Sequence, residues 1–192
     1  MREARIERKT GETDISIIVN LDGTGRVKSQ TGIGFFDHMV NSFATHSGID
    51  IFLEVKGDLS VDCHHTVEDI GIVLGKAIKV ALGDRKGINR FSDCFIPMDE
   101  SLAFCAIDIS GRGFCDFKGD FLYKNCGDYE TDATPEFFRA LANNAEITLH
   151  IKSLNGNNDH HKIEALFKAC ARCLKEAVKI SSSGIPSSKG MI

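Results

Sequence analysis

Two short clusters, Cys63-His64-His65-Thr66-Val67-Glu68-Asp69 and Asp159-His160-His161-Lys162-Ile163-Glu164, carry the same chemical groups in the same order. Imidazole nitrogen and carboxylate oxygen are good ligands for borderline cations, and each cluster opens a run of helical periodicity. On a helix, the second His and the Glu stand three residues apart and project from one face. The first His points about 100° away. One cluster thus offers an imidazole–carboxylate pair to one cation and a lone imidazole to another. Two clusters that exchange their lone ligands build a pair of sites, which is the chemistry of a metalloenzyme.

The histidines lie at 38, 46, 64, 65, 150, 160 and 161, and all but His46 fall within the two clusters or just ahead of them. Imidazoles and carboxylates without thiolate suit Mn, Fe, Ni, Co or Zn, and a structural zinc site usually recruits cysteine. Room for a substrate favours six-coordinate ions, so Mn²⁺ is the first choice. Asp69, beside Glu68, is either an orienter of an imidazole N–H or a solvated acid in the first helical turn. Arg90, Arg112, Lys168 and Lys189 are cations at loop-like or helical places around these clusters, Lys189 in a Ser187-Ser188-Lys189-Gly190 loop whose hydroxyls and amides suit phosphate. As a set they point to an anionic, phosphorylated substrate. Glu12, in Lys9-Thr10-Gly11-Glu12-Thr13 between two strands, is a candidate acid/base.

The elements that must position these groups repeat. Residues 4–9, 15–21 and 49–56 read as strands, residues 34–47 as a helix ended by Gly48, and the first His pair opens a helix that buries Val67, Ile70, Leu74, Ile78 and Ala81. His160 minus His64 is 96, as is Glu164 minus Glu68. At that offset Ile51-Phe52-Leu53-Glu54-Val55-Lys56 falls on Ile147-Thr148-Leu149-His150-Ile151-Lys152, and Ile163, Leu166, Cys170, Leu174 and Ala177 repeat the helical stripe. At an offset of 88, Glu12 and Asp22-Gly23-Thr24-Gly25 fall on Glu100 and Ser110-Gly111-Arg112-Gly113. The chain reads as two copies of a strands–helix–strand–helix unit, 1–92 and 93–192. The expected fold is α+β, one compact duplicated domain with two sheets on one side, helices packed against them on the other, and a flexible tail over about 181–192.

Composition narrows the class. Of 192 residues, 42% are hydrophobic, enough for a buried core, and a net charge of −4 argues against non-specific nucleic-acid binding. No apolar run approaches the ~20 residues that span a bilayer. The N-terminus lacks the apolar core of a signal peptide. Seven scattered cysteines, an odd number, suit a reducing cytoplasm rather than a disulfide framework. Cys170 and Cys173 form a lone CxxC on the apolar stripe of a helix and read as core.

At these residues the chain resembles the imidazoleglycerol-phosphate dehydratases of histidine biosynthesis. The carriers are Arg8-Lys9-Thr10-Gly11-Glu12-Thr13, Phe36-Asp37-His38-Met39, both His-His-x-x-Glu clusters with their flanks, Thr148-Leu149-His150 and Pro186-Ser187-Ser188-Lys189-Gly190. The resemblance implies two Mn²⁺ ions per site, one held by His38, His65, Glu68 and His160, the other by His64, His150, His161 and Glu164. It implies a homo-oligomeric shell of twenty-four chains with sites at subunit interfaces. It further implies a lyase reaction through metal-bound imidazolate and a diazafulvene-like intermediate, with Glu12 as acid/base. His46 matches a substrate-side position, and Arg90, Arg112, Lys168, Ser187, Ser188 and Lys189 match phosphate-clamp positions. The chain departs from the family pattern at Gly113, where proline is usual, at Ser42, where a phosphate-contacting glutamine is common, and at His46-Ser47-Gly48. Two rival readings use the same ions: a hydrolase of phosphorylated compounds, and a non-catalytic metal-binding shell.

Overall fold

A computed structural model describes residues 1–190 and 192. In the first half, β1 (Glu3–Lys9), β2 (Thr13–Asn20), β3 (Val27–Lys28), α1 (Gly34–Ser47), β4 (Asp50–Gly57) and α2 (His64–Leu82) follow one another. The second half runs β5 (Phe91–Met98), β6 (Ser101–Asp108), β7 (Phe114–Lys118), β8 (Asn125–Cys126), β9 (Tyr129–Glu130), α3 (Ala133–Ala145), β10 (Thr148–Asn155) and α4 (Asp159–Ala177). One sheet has the order β1-β2-β4-β3 and the other β5-β6-β10-β7. Strand for strand this is the same topology: an antiparallel hairpin, an antiparallel third strand, and a parallel edge strand. The short β8–β9 hairpin lies in a segment between β7 and α3 that has no counterpart in the first half. Strand β5 already begins at Phe91, so the expected boundary at 92/93 falls inside it.

Alternation explains the sheets. Ile15, Ile17 and Val19 on β2 are buried, as are Ala103, Cys105 and Ile107 on β6, while the residues between them face outward in the manner of a half-covered strand. The helices pack against the sheets as expected, but rather than lying together on one side they stand between the two sheets. Helix α2 covers β1 and β2 and leans on α3; α4 covers β5 and β6 and leans on α1. Each sheet has one apolar face, and stacking the helices between two such faces buries both at once.

The two helix pairs are not equivalent. A Cβ on Gly71 of α2 would stand 2.8 Å from the Phe137 carbonyl oxygen, and one on Gly75 would stand 2.6 Å from that of Leu141, so α2 and α3 meet backbone to backbone. At the repeat-equivalent positions α4 carries Phe167 and Ala171. Phe167 stacks with Phe137 at 5.0 Å and lies 6.2 Å from Phe36, filling the junction of α1, α3 and α4.

The C-terminal segment, expected to be flexible, is tied to the loop before β5. Ile180 bridges Ile88, Gly87 N–H donates to Gly184 O at 2.7 Å, and the Arg90 guanidinium donates to Pro186 O at 2.8 Å. Met191 of that segment lies outside the described residues. Among the described residues no helix is long and apolar enough to cross a membrane.

Candidate metal centre

Helix α4 starts at its cluster because Asn158 caps it, the side chain accepting from His160 N and His161 N. That places His160 and Glu164 one turn apart, and α1, packed alongside, brings in His38. The Glu164 carboxylate lies 3.4 Å from His38 Nε2 and 3.3 Å from His160 Nε2, and the ligand atoms of all three lie within 4.8 Å of one another. Phe35 packs edge-on against both imidazoles, centroids 6.5 and 4.9 Å away. The other Glu164 oxygen receives Lys168 Nζ at 2.7 Å. Burial pushes the Glu164 carboxyl up, but the Lys168 hydrogen bond and charge, with His38, outweigh it and hold the group below its ordinary value.

The geometry corrects one sequence expectation. Glu68 faces His64, at 3.7 Å, and Glu164 faces His160, so the carboxylate of each cluster turns to the first His and not the second. With 3.6 residues per turn, position i+4 lies only about 40° round from i, closer than the roughly 60° of i+3. Glu164 therefore sits with His38 and His160 within one chain, a grouping different from the split that the resemblance implies. The second histidines turn to other partners. His65 Nδ1 is 3.0 Å from Asp58 Oδ2, and its Nε2 is 3.7 Å from Glu12 Oε1. His161 Nδ1 is 2.8 Å from Glu100 Oε2, and His150 Nδ1 is 3.3 Å from Asp116 Oδ2, its register partner on β7. The hydrogen bond that His65 donates to Asp58 raises its pKa, and the one that His161 donates to Glu100 does the same there.

Glu12 projects from a stiff turn. Thr10 Oγ1 accepts from Glu12 N at 3.1 Å and Thr13 N at 3.0 Å. Asp69 neither orients an imidazole nor faces solvent: buried, it accepts from Arg8 Nε at 3.0 Å and from the Thr13 hydroxyl, and so bolts α2 to both ends of the turn that carries Glu12.

The anion-binding candidates are scattered in their present engagements. Arg90 is held bidentately by Asp108, at 2.7 and 3.2 Å, with its remaining nitrogen on Pro186 O. Lys168 is on Glu164, and the Arg112 side chain is exposed in the turn after β6. Ser187 Oγ accepts from Lys189 N at 3.2 Å, placing Ser187, Ser188 and Lys189 in one tight turn. His46, in the last turn of α1, has its pKa lowered by burial and then by Lys168 and Arg172. Gly113 is closely packed, since a Cβ there would stand 2.5 Å from Asn143 Cα. The Ser42 hydroxyl is buried with no partner among the described residues. Sequence reasoning missed Asp58, Asp116 and Glu100 as histidine partners; of these only Glu100 had a signal, its alignment with Glu12 across the repeat.

Two nitrogens and a carboxylate oxygen at 3.3–3.4 Å are spaced much as neighbouring ligands on one cation, about 3 Å for bonds near 2.1 Å. The residues present fit a bound ion. A family model described as imidazoleglycerol-phosphate dehydratase matches residues 31–174. The imidazoleglycerol-phosphate dehydratase of Streptococcus sanguinis is 52% identical over 194 residues, covering 100% of both chains. The chain belongs to the imidazoleglycerol-phosphate dehydratase family. Two solved members share its fold. That from Staphylococcus aureus is 36% identical with a TM-score of 0.84, over 94% of this chain and 99% of its own. That from Pyrococcus furiosus, in complex with (S)-C348, is 32% identical with a TM-score of 0.84, over 97% and 100%. As an imidazoleglycerol-phosphate dehydratase family member, the chain is an enzyme of the dehydratase class.

Proposed function

We propose that this chain removes water from imidazole glycerol phosphate to give imidazole acetol phosphate, a step of L-histidine biosynthesis in the cytoplasm. The observation that carries this reading is the His38–His160–Glu164 cluster, three converging donors in a dehydratase-family chain. Two Mn²⁺ ions per site are the proposed cofactors, with His38, His64, His65, Glu68, His150, His160, His161 and Glu164 as the ligand set. Bound there, they supply Lewis acidity and a template for the substrate's ring. One chain gathers only three donors at a point among the described residues, which supports sites completed between copies; the assembly proposed for those copies is a shell of twenty-four.

No carbonyl acidifies the C–H bond that must break, so the imidazole ring is the electron source. Its density expels the C3 hydroxyl, leaving a diazafulvene-like species; loss of the C2 proton gives an enol that tautomerises to the ketone. Glu12 moves the proton, because its carboxylate is exposed, sits on a turn fixed by Thr10 and Asp69, and lies 3.7 Å from an imidazole of the ligand set. His46 stands on the substrate side. Arg90, Arg112, Lys168, Ser187, Ser188 and Lys189 bind the phosphate, with Asp108 and Glu164 handing over Arg90 and Lys168 or sharing them.

Incubating the Mn²⁺-loaded chain with imidazole glycerol phosphate tests the reading. An alkali-detectable ketone is expected. Release of inorganic phosphate would make the chain a hydrolase, and metal-dependent assembly without turnover would make it a structural shell.

A further inference from the structure

The duplication sets two glutamates in equivalent turns, Glu12 between β1 and β2 and Glu100 between β5 and β6, each beside the second histidine of its own half. Their contacts differ. Glu100 Oε2 is 2.8 Å from His161 Nδ1. Its Oε1 accepts from Asn157 N at 3.2 Å, Asn158 N at 3.0 Å and Ser101 Oγ at 3.0 Å, and its own carbonyl oxygen accepts from Asn155 Nδ2 at 3.0 Å. This one carboxylate ties the β5–β6 turn to the backbone that leads into α4 and to a ring on the first turn of that helix. Among the described residues the Glu12 carboxylate makes no such bond; it faces His65 Nε2 at 3.7 Å, because Asp58 already occupies the Nδ1 side.

We infer that Glu100 is a positioning residue which holds His161 as an Nδ1–H donor with Nε2 presented outward, and that Asp58 performs the same task at His65, so that Glu12, the counterpart of Glu100, is left free for proton transfer. The chemistry is general: an imidazole that donates one N–H to a carboxylate has its tautomer and ring plane fixed, and its other nitrogen becomes a better, better-aimed ligand. The repeat supplies the contrast. The equivalent glutamates have exchanged places around the ring: in the first half Asp58 takes the Nδ1 side of His65 and Glu12 the Nε2 side, and in the second Glu100 takes the Nδ1 side of His161 while Asp99 lies 3.8 Å from its Nε2.

The inference rests on the metal reading above, and titration of the assembled protein with Mn²⁺ separates the two. Free Mn²⁺ is followed by its solution EPR signal. If the parent protein takes up no Mn²⁺ beyond a chelator-stripped control, the metal reading fails. If it binds two ions per chain, Glu100→Ala and Asp58→Ala are each expected to weaken one of the two by about 10–100-fold, with the hyperfine pattern of the bound ion altered. Ser101→Ala removes a contact to the same Glu100 carboxylate but leaves His161 alone, and its Mn²⁺ affinity is expected to match the parent. Glu12→Ala is expected to bind Mn²⁺ like the parent. Parental affinity and spectrum in folded Glu100→Ala, or equal loss in Ser101→Ala and Glu100→Ala, would overturn the positioning role. If Glu100→Ala does not fold, Glu100→Asp takes its place: its shorter arm keeps the charge but lengthens the reach to Nδ1, and weakened binding is again expected.

Discussion

Glu12 carries the sharpest expectation at the scale of single residues. Glu12→Gln keeps the turn, since the bonds that shape it come from Thr10 and Asp69 and not from the Glu12 carboxylate. Turnover is expected to fall by about 10²–10⁴-fold with Mn²⁺ content unchanged; steady-state rates alongside metal analysis check both. The His-His-x-x-Glu groups were legible in the sequence because their ligands are close neighbours on one helix. Which histidine each glutamate would face was not, since i+3 and i+4 both lie within reach and a small rotation decides between them. The acids behind the histidines were hidden for a different reason. Asp116 and Glu100 arrive from other elements, brought to the rings by strand pairing, and Asp58 reaches His65 only through the fold of the loop that leads from β4 into α2.

Elements meet under constraints that two substitutions probe. Gly75 lets α2 rest on the backbone of α3, where a Cβ would stand 2.6 Å from Leu141 O and 2.9 Å from Ala145 N. Gly75→Ala is expected to cost about 1–3 kcal/mol, read as a lower denaturation midpoint, because backbone cannot step aside as a side chain can. Asp50 pins the loop after β2 to the start of β4. Its side chain is 2% exposed and accepts from Thr24 N, Arg26 N and the Arg26 guanidinium. The Arg26 hydrogen bond, above all, holds its pKa at about 2 against an ordinary 3.8. A depressed folded value means the stabilisation is complete above roughly pH 4 and fades as the pH falls towards 2. With Arg26 itself largely solvated, Asp50→Asn is expected to cost about 1–2 kcal/mol at pH 7. Urea unfolding at pH 7 and pH 3 checks that the gap from the parent narrows in acid. The periodicities of two and 3.6 made these strands and helices readable from the chain. The layer order was not, because an amphipathic helix carries no mark saying whether its second face meets solvent or another helix.

For the molecule as a whole, the proposal that sites are shared between copies makes a distinctive prediction. A chain with Glu12→Gln and a chain with His160→Asn are each expected to be nearly inactive. Co-expressed and co-assembled, they are expected to regain up to about one parental site in four, where an intact first half meets an intact second half from another chain. Activity no higher than either variant alone would place both clusters of a site in one chain. The repeat, visible at offsets of 96 and 88, announced the matched strand orders. It did not announce that the helices of each half cover those of the other.

That mutual cover sets what one repeat could do without the other. Helix α2 finds its cover in α3, and α1 in α4, so the apolar stripe of each repeat is sheltered by helices of the other. A repeat standing alone would leave that stripe wet, and would need a second copy to cover it. Held in one chain, the sister copy is present at any dilution, and the two copies need not match, as glycine in one helix and phenylalanine at the equivalent place in its double show.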